Sequence, residues 1–196
     1  MKFLLVLALS FYSFSILAQS TVSLFDVTMN DKKIGVLKAT KNINGKMVTK
    51  NISSSSKTNV LALSVHVESE VYVTSENDIL KTSFAYRQVN RGSENIETTV
   101  KFLAPSKYEI VKNGVNTVIN SNINYSIVDL YFKEPKGLYI VFSNTHGAFL
   151  NIKSLGNGDY ELQLPDGKTN IFRYLNGKLV QVEAKMMVGK VIFQRK

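Results

Sequence analysis

The stretch 159–196 constrains the fold more than any other part of the chain, because it combines strand periodicity with two turn signals. Leu162 and Leu164 alternate with polar residues, which is typical of a half-buried strand. Pro165-Asp166-Gly167 supplies turn chemistry, and Asn176-Gly177 is the dipeptide most typical of a two-residue hairpin. The stretch therefore predicts an antiparallel β-meander.

The Asn176-Gly177 turn also predicts a register for this hairpin. The expected pairs are Leu175 with Lys178, Arg173 with Val180, and Ile171 with Val182. Each face of the hairpin then carries apolar side chains. The sequence therefore leaves open which of the two faces belongs to the core.

Residues 1–18 have the pattern of a signal peptide. Lys2 gives a positive start, Phe3–Leu17 is mostly apolar, and Ala18 is a small residue before an expected cleavage at Gln19. The apolar run is too short for a convincing transmembrane helix, so we expect no anchor after processing; a retained anchor is the alternative. We predict residues 19–196 to be a single exported β domain, periplasmic or secreted.

Composition narrows the choice of partners. The chain has no Cys, 24 Lys and Arg against 15 Asp and Glu, and a formal net charge of +9. Its cations are dispersed, whereas nucleic-acid-binding proteins usually cluster them on one face, so we expect no nucleic-acid partner. An anionic lipid surface, a polysaccharide or an envelope protein would suit an exported basic chain, and simple solubility explains the charge as well.

Hairpin signals recur along the whole chain. Gly35 within a predicted strand suggests a bulge or a close backbone approach. Turn residues separate successive apolar runs, at Asn44-Gly45 and Asn113-Gly114 among others. The predicted strands include Leu24–Met29, Ile34–Thr40, Ile79–Val89, Ile96–Ala104, Tyr108–Val111 and Val115–Ile119.

The longest alternation covers residues 59–75 and predicts one long strand that must coil or bend, with Ser69 as the expected position. Long coiled antiparallel strands are typical of barrels and half-barrels. The odd-numbered apolar residues should face a concave interior, where they could line an apolar ligand site. They are Leu61, Leu63, Val65, Val67, Val71 and Val73.

The pattern of residues 126–132 differs from that of the strands. Ser126 stands three residues before Asp129, as in a capping box, and a mostly apolar run follows until Pro135. We predict one or two helical turns here. The fold class is thus all-β and mainly antiparallel, a meandering barrel or half-barrel with one short helix near residues 126–132.

No arrangement of side chains predicts catalysis. His66, Glu68 and Glu70 share a strand face, but Glu70 would lie about 13 Å from His66, too far for a third metal ligand. His146 and Asp129 could join a serine in a catalytic triad, but no serine in the sequence carries the local signature of a nucleophile. We therefore predict no catalytic residues, no metal and no cofactor, and we expect the protein not to be an enzyme.

Three groups of residues resemble a known family. They are Phe25-Asp26-Val27 with Ile34-Gly35, then Leu130-Tyr131-Phe132 with Glu134-Pro135, and Leu164-Pro165-Asp166-Gly167 with Asn170, Tyr174 and Asn176-Gly177. In these motifs the chain is similar to family 6134 of domains of unknown function, exported proteins of Bacteroidetes-type bacteria. The resemblance implies an exported, mostly β domain and brings no activity.

Two functions follow as expectations. The first is an exported, non-enzymatic binding protein of the cell envelope that cradles an apolar or amphiphilic ligand. The alternative is a structural or adhesion module of the envelope without a small-molecule site. An open apolar cavity would favour binding, and a filled interior would favour the structural module.

Overall fold

The computed structural model describes residues 19–60, 63–91, 95–186 and 189–196. They form a 14-stranded antiparallel sheet in which consecutive strands pair with each other, except β8 and β9. The chain leaves the sheet between β8 and β9, which form its two edges, and β1 pairs with β14 in the middle. The strands are β1 (Gln19–Met29), β2 (Lys32–Asn44), β3 (Met47–Val60), β4 (Leu63–Glu76), β5 (Ile79–Val89), β6 (Ile96–Ala104), β7 (Lys107–Lys112), β8 (Val115–Ile119), β9 (Ile140–Ser143), β10 (Ala148–Gly156), β11 (Asp159–Gln163), β12 (Thr169–Leu175), β13 (Lys178–Met186) and β14 (Gly189–Arg195).

The predicted all-β antiparallel meander is therefore confirmed. Across the described ranges, β8 and β9 do not pair with each other, so the sheet is not closed into a barrel. The strands predicted at Ile79–Val89 and Ile96–Ala104 have the bounds of β5 and β6. The predicted helical turn is also present, as a 3₁₀ helix at Ile127–Tyr131.

The curved sheet brings its two halves together face to face. Asn144, in the turn between β9 and β10, donates through Nδ2 to Ser83 Oγ on β5 at 2.9 Å. Thr98 Oγ1 on β6 donates to the carbonyl oxygen of Thr145 at 2.8 Å. These contacts seat the β9–β10 turn on the inner side of β5 and β6, so the open sheet encloses a core.

Residues 120–139, which we call the crossing segment, run along the inner side of the sheet from β8 to β9. Its backbone hydrogen-bonds to strands on both sides: Leu80 N donates to Ile123 O, and Phe142 N donates to Tyr125 O. The segment contributes Ile123, Val128 and Leu130 to the core, each no more than 1% exposed. Apolar side chains of a connection therefore fill much of the space that the curved sheet surrounds.

The hairpin at Asn176-Gly177 differs from its predicted register. Both turn residues have positive φ, at 52° and 75°, and Leu175 pairs with Lys178 as expected. Beyond that pair a β-bulge leaves Val180 unpaired, so the predicted pairs Arg173–Val180 and Ile171–Val182 are wrong. The observed pairs are Arg173 with Gln181 and Phe172 with Val182. Because of the shift, Val182 joins Phe172, Tyr174 and Leu179 on one buried face, which is the core face.

The predicted strand 59–75 is wrong at its start. Asn59 and Val60 are the end of β3, and β4 begins at Leu63. Residues 61–62 are Leu and Ala, which carry no turn signal, so the alternation in the sequence continued across the change of strand. The β3–β4 register is regular through Ser69, and the irregularity in β4 lies between Thr74 and Ser75 against β5.

Gly35 has both features that were predicted for it. The β1–β2 register shifts beside it, between Val27 and Thr28. A Cβ atom at position 35 would also lie 2.2 Å from the carbonyl oxygen of Ser55 on β3. The close approach of β2 to β3 therefore excludes any side chain at this position.

Candidate binding cleft

Two tyrosine hydroxyls of the sheet bind the crossing segment, and a third lies within the segment. Tyr174 donates to the carbonyl oxygen of Leu130 at 2.6 Å, and Tyr160 donates to Glu134 Oε1 at 2.9 Å. Tyr125, within the segment, donates to the carbonyl oxygen of Lys133. Burial raises the pKa of Tyr125 and of Tyr174, and burial together with the Glu134 carboxylate raises the pKa of Tyr160 to about 12. All three hydroxyls are therefore protonated donors at neutral pH.

A capping box and an ion pair fix the start of the 3₁₀ helix. Asp129 Oδ2 accepts from the backbone N–H of Ser126 at 2.7 Å and from its hydroxyl at 3.0 Å. The other carboxylate oxygen, Oδ1, lies 2.5 Å from Lys50 Nζ on β3. The side chains of Lys50 and Asp129 are only 12% and 16% exposed. Asp129 thus closes the local cap and also anchors the crossing segment to the sheet.

A cleft of about 300 Å³ lies beside this ion pair, between β2–β5 and the crossing segment. One part of its wall is apolar, formed by Val73, Leu80, Ile123 and Phe132. The remaining wall is polar and charged. Its residues are Lys41, Lys50, Ser75, Asp78, Asn124, Tyr125, Ser126, Asp129 and Lys133. The cleft therefore presents apolar and ionic surface to the same small volume.

A second cavity of about 200 Å³ shares Lys41 and Phe132 with the first. Arg195 lies in its wall, where it donates to Ser23 Oγ at 2.6 Å and to the carbonyl oxygen of Leu179 at 3.0 Å. Lys178 also lines this cavity. Among the described residues, five cationic side chains and two anionic ones line the two cavities, so the local charge is positive.

The residues predicted to line an apolar ligand site differ in burial along β4. Val73 is 1% exposed and lines the cleft, and Val71 packs against the core. Val65 and Val67 are half-buried, and Leu63 is 51% exposed. Leu61 lies outside the described residues. Of the five described residues of this set, Val73 is the one that lines the cleft, and ligand binding by the set stays a prediction.

The histidines are placed apart from the cleft. His66 Nε2 lies 3.5 Å from Glu68 Oε1, while Glu70 accepts from Asn51 Nδ2 at 2.5 Å. His146 lies in the β9–β10 turn, where burial and the nearby Lys112 keep its pKa below the usual range. Among the residues that the structure describes, no three His, Asp or Glu side chains are grouped so as to hold a metal ion. In the same ranges, no helix has the length and apolar character to span a membrane.

The family of the chain follows from a match over most of its length. Residues 25–196 match the family model described as Domain of unknown function (DUF6134). The chain belongs to this family. The family predicted from its turn and strand motifs is therefore confirmed. No curated protein and no solved structure matches this DUF6134 chain.

Sequence reasoning missed the lysines of the cleft in this DUF6134 domain. Lys41 follows Leu37 and Ala39 at alternate positions of β2, and those two residues are buried. A lysine at the next position of an inward-facing apolar series is unusual. This position of Lys41 was the sequence signal that could have indicated the cleft. The sequence did not show which face of β2 was inner, because that depends on the strands packed beside it.

Proposed function

We propose that this chain is an exported, non-enzymatic binding protein of the cell envelope and that its ligand is a small amphiphile. The observation that carries the proposal is the cleft beside Lys50 and Asp129, where an apolar wall meets charged side chains. Its volume of about 300 Å³ lies at the lower end of the range for small-molecule sites. A ligand with a polar head and an apolar portion satisfies both parts of such a wall.

The packing of the core limits the size of that ligand. The crossing segment and aromatic side chains such as Phe25, Tyr131 and Phe172 occupy the space behind the cleft. Tyr131 packs edge-to-face on both phenylalanines, with ring centroids 5.7 and 6.4 Å apart. A long hydrocarbon chain would have to displace these contacts, so we propose a ligand whose head and first few carbons enter the cleft while the remainder stays at its mouth.

The proposed location is periplasmic or secreted, and it rests on the signal-peptide pattern of residues 1–18. The non-enzymatic character rests on His66 and His146, which contact neither each other nor the cleft within the described ranges. Both substitutions, His66→Ala and His146→Ala, should leave amphiphile binding unchanged.

The first experiment uses native mass spectrometry of the protein purified from its own host. The expected result is a mature chain that begins near Gln19 and carries a noncovalently bound ligand whose mass is lost on denaturation.

The second experiment titrates dodecyl maltoside into delipidated protein. Binding should be blocked in Asn124→Trp, because Asn124 is exposed at the cleft and a large side chain there would cover it. Asn120→Trp, at an exposed position outside the cleft lining, is the control. Equal binding by the two variants, or retention of residues 1–18, would contradict the proposal.

The alternative function is a structural or adhesion module without a small-molecule site. Its supporting observation is a group of aromatic side chains on the outer face of β4 and β5. Tyr72 and Phe84 are paired across these strands and are 43% and 37% exposed. Tyr86 lies beside them, with its ring centroid 6.0 Å from that of Phe84. Exposed aromatic groups of this kind are common where proteins bind a macromolecule. This function would be favoured if Tyr72→Ser loses association with the cell envelope and the wild-type protein binds no amphiphile.

A further inference from the structure

Lys41 and Lys50 face each other on the inner side of the sheet. They are directly paired between β2 and β3, two residues beyond the buried pair Ala39–Ile52. Side chains two residues apart on a strand share a face, so both lysines point inward with Ala39 and Ile52. Directly opposite residues of an antiparallel pair have Cβ atoms about 4.5–5.5 Å apart, and like charges at such positions repel each other.

The acidic side chains of the cleft compensate this repulsion only in part. Asp129 pairs with Lys50 at 2.5 Å. For Lys41, the described residues provide no ion pair. Lys133 adds a third cation to the same cleft, and Arg195 and Lys178 add two more to the adjoining cavity that Lys41 also lines. Lys41 is thus an inward-facing cation, common to both cavities, that has no anionic partner among the described residues.

We propose that Lys41, together with Lys50, binds an oxyanion: the carboxylate or phosphate head group of the ligand. The proposal rests on the proposed function, because it assigns the head group of the same amphiphile. A bound oxyanion would accept charge-assisted hydrogen bonds from both ammonium groups and remove their mutual repulsion. Phe132 lies in the wall of both cavities and would contact the first carbons behind the head group.

The variant that tests the site is Lys41→Met, which keeps most of the side-chain volume and removes the charge. Lys38→Met is the matched control, because Lys38 is an exposed lysine on the opposite face of the same strand. Without ligand, Lys41→Met should raise Tm by about 2–4 °C through relief of the repulsion, whereas Lys38→Met should leave it unchanged. Lys41→Gln gives a second, polar replacement in case the first variant does not fold.

Binding is measured by calorimetry with the mature wild-type chain and the variants at low ionic strength. The probes are dodecanoate, dodecyl phosphate, inorganic phosphate and the neutral dodecyl maltoside. Dodecanoate or dodecyl phosphate should bind more tightly than the maltoside, and Lys41→Met should weaken the anionic amphiphiles by about tenfold or more. The maltoside should be unaffected by this change. Binding of inorganic phosphate would identify the anion itself as sufficient, and preference for one amphiphile would distinguish carboxylate from phosphate.

The outcomes separate this inference from the proposed function. If the maltoside binds as tightly as the anionic amphiphiles, and Lys41→Met alters neither, the anion site is overturned while the binding function stands. If no amphiphile binds but inorganic phosphate does, with loss of that binding in Lys41→Met, the anion site stands and the proposed function is overturned. If Lys41→Met and Lys38→Met have the same Tm and no probe binds, both are overturned.

Discussion

Lys50 Nζ lies 2.5 Å from Asp129 Oδ1, and this ion pair joins two residues that are 79 positions apart in the sequence. It connects the inner face of β3 to the 3₁₀ helix of the crossing segment. Asp129 also completes the cap of that helix through Ser126. One carboxylate therefore supports both the local structure of the crossing segment and its attachment to the sheet.

Asp129→Asn should destabilise the fold by about 2–3 kcal/mol. It leaves Lys50 largely buried without its partner, a change that costs about 3–5 kcal/mol in fully buried pairs, and we reduce this because water reaches the cleft. Glu76→Gln is the control, since it breaks the Lys81–Glu76 pair, whose side chains are 31% and 43% exposed. That change should cost less than about 1 kcal/mol. Urea unfolding followed by tyrosine fluorescence measures both, and equal midpoints would show that the Lys50–Asp129 pair has no special role.

Truncations along β4 should have unequal effects. Val73→Ala removes volume from a side chain that is 1% exposed, and we expect a loss of about 1–3 kcal/mol in unfolding free energy. Leu63→Ala acts on the same face of the same strand, but Leu63 is 51% exposed, so the loss should be below about 1 kcal/mol. Denaturant unfolding of both variants compares them directly. A larger loss for Leu63→Ala would mean that the exposed end of β4 is covered in solution.

Gly35→Ala should be among the most destabilising single-methyl additions in the chain. The new Cβ would lie 2.2 Å from the Ser55 carbonyl oxygen and 2.7 Å from the Ser56 Cα, and no rotamer change can move backbone atoms. We expect a cost of about 3 kcal/mol or more, because β2 and β3 must separate. Gly45→Asn is the control. Gly45 has a φ of 57° and open space around its Cβ position, and Asn tolerates this conformation. Similar melting temperatures for the two variants would refute the close approach of the strands.

Stability should fall at alkaline pH as Tyr125, Tyr160 and Tyr174 ionise. The pKa of Tyr160 is raised from 10.0 to about 12, so the folded state holds this proton more tightly than the unfolded state does. The contribution is therefore present below about pH 10 and is lost as pH rises toward 12. Burial raises the pKa of Tyr125 and Tyr174 in the same direction.

Unfolding free energies measured from pH 8 to pH 12 test this dependence. Tyr160→Phe should lower stability at pH 8, because Glu134 loses a hydrogen bond, and should reduce the further loss above pH 10. Tyr139→Phe is the control at a position that is 81% exposed, and it should leave the pH profile unchanged. A profile for Tyr160→Phe that runs parallel to the wild type would contradict the raised pKa.

Local signals in the sequence predicted the hairpins well. Strands β5 and β6 were found at their bounds, and Gly35 was identified as a special position, because turn residues and alternation act over short distances. The change from β3 to β4 was missed, since the Leu and Ala that separate these strands in the sequence do not signal a turn. The bulge at Val180 was missed for a different reason. Its effect is to align Val182 with Phe172 in the core, which depends on packing rather than on the turn.

Local sequence patterns could not predict the cleft. Lys41 and Lys50 become a pair only through the β2–β3 register, and Asp129 reaches Lys50 only because the crossing segment returns over the inner face. The sequence did indicate Asp129 as part of a helix cap, through its spacing from Ser126. It held no information on the second partner of that carboxylate, which is set by tertiary structure.

The pairing of β1 with β14 has a kinetic consequence. Arg195 hydrogen-bonds to Ser23, 172 residues away, and the strands on either side of this junction belong to opposite ends of the chain. The central junction of the sheet thus forms only after the last strand has been synthesised. Folding should be slow, and a partial chain should expose the unpaired edge of β1 to aggregation or to a chaperone. Because the sheet is completed late, the chain would also stay unfolded for longer than a chain built from independent hairpins.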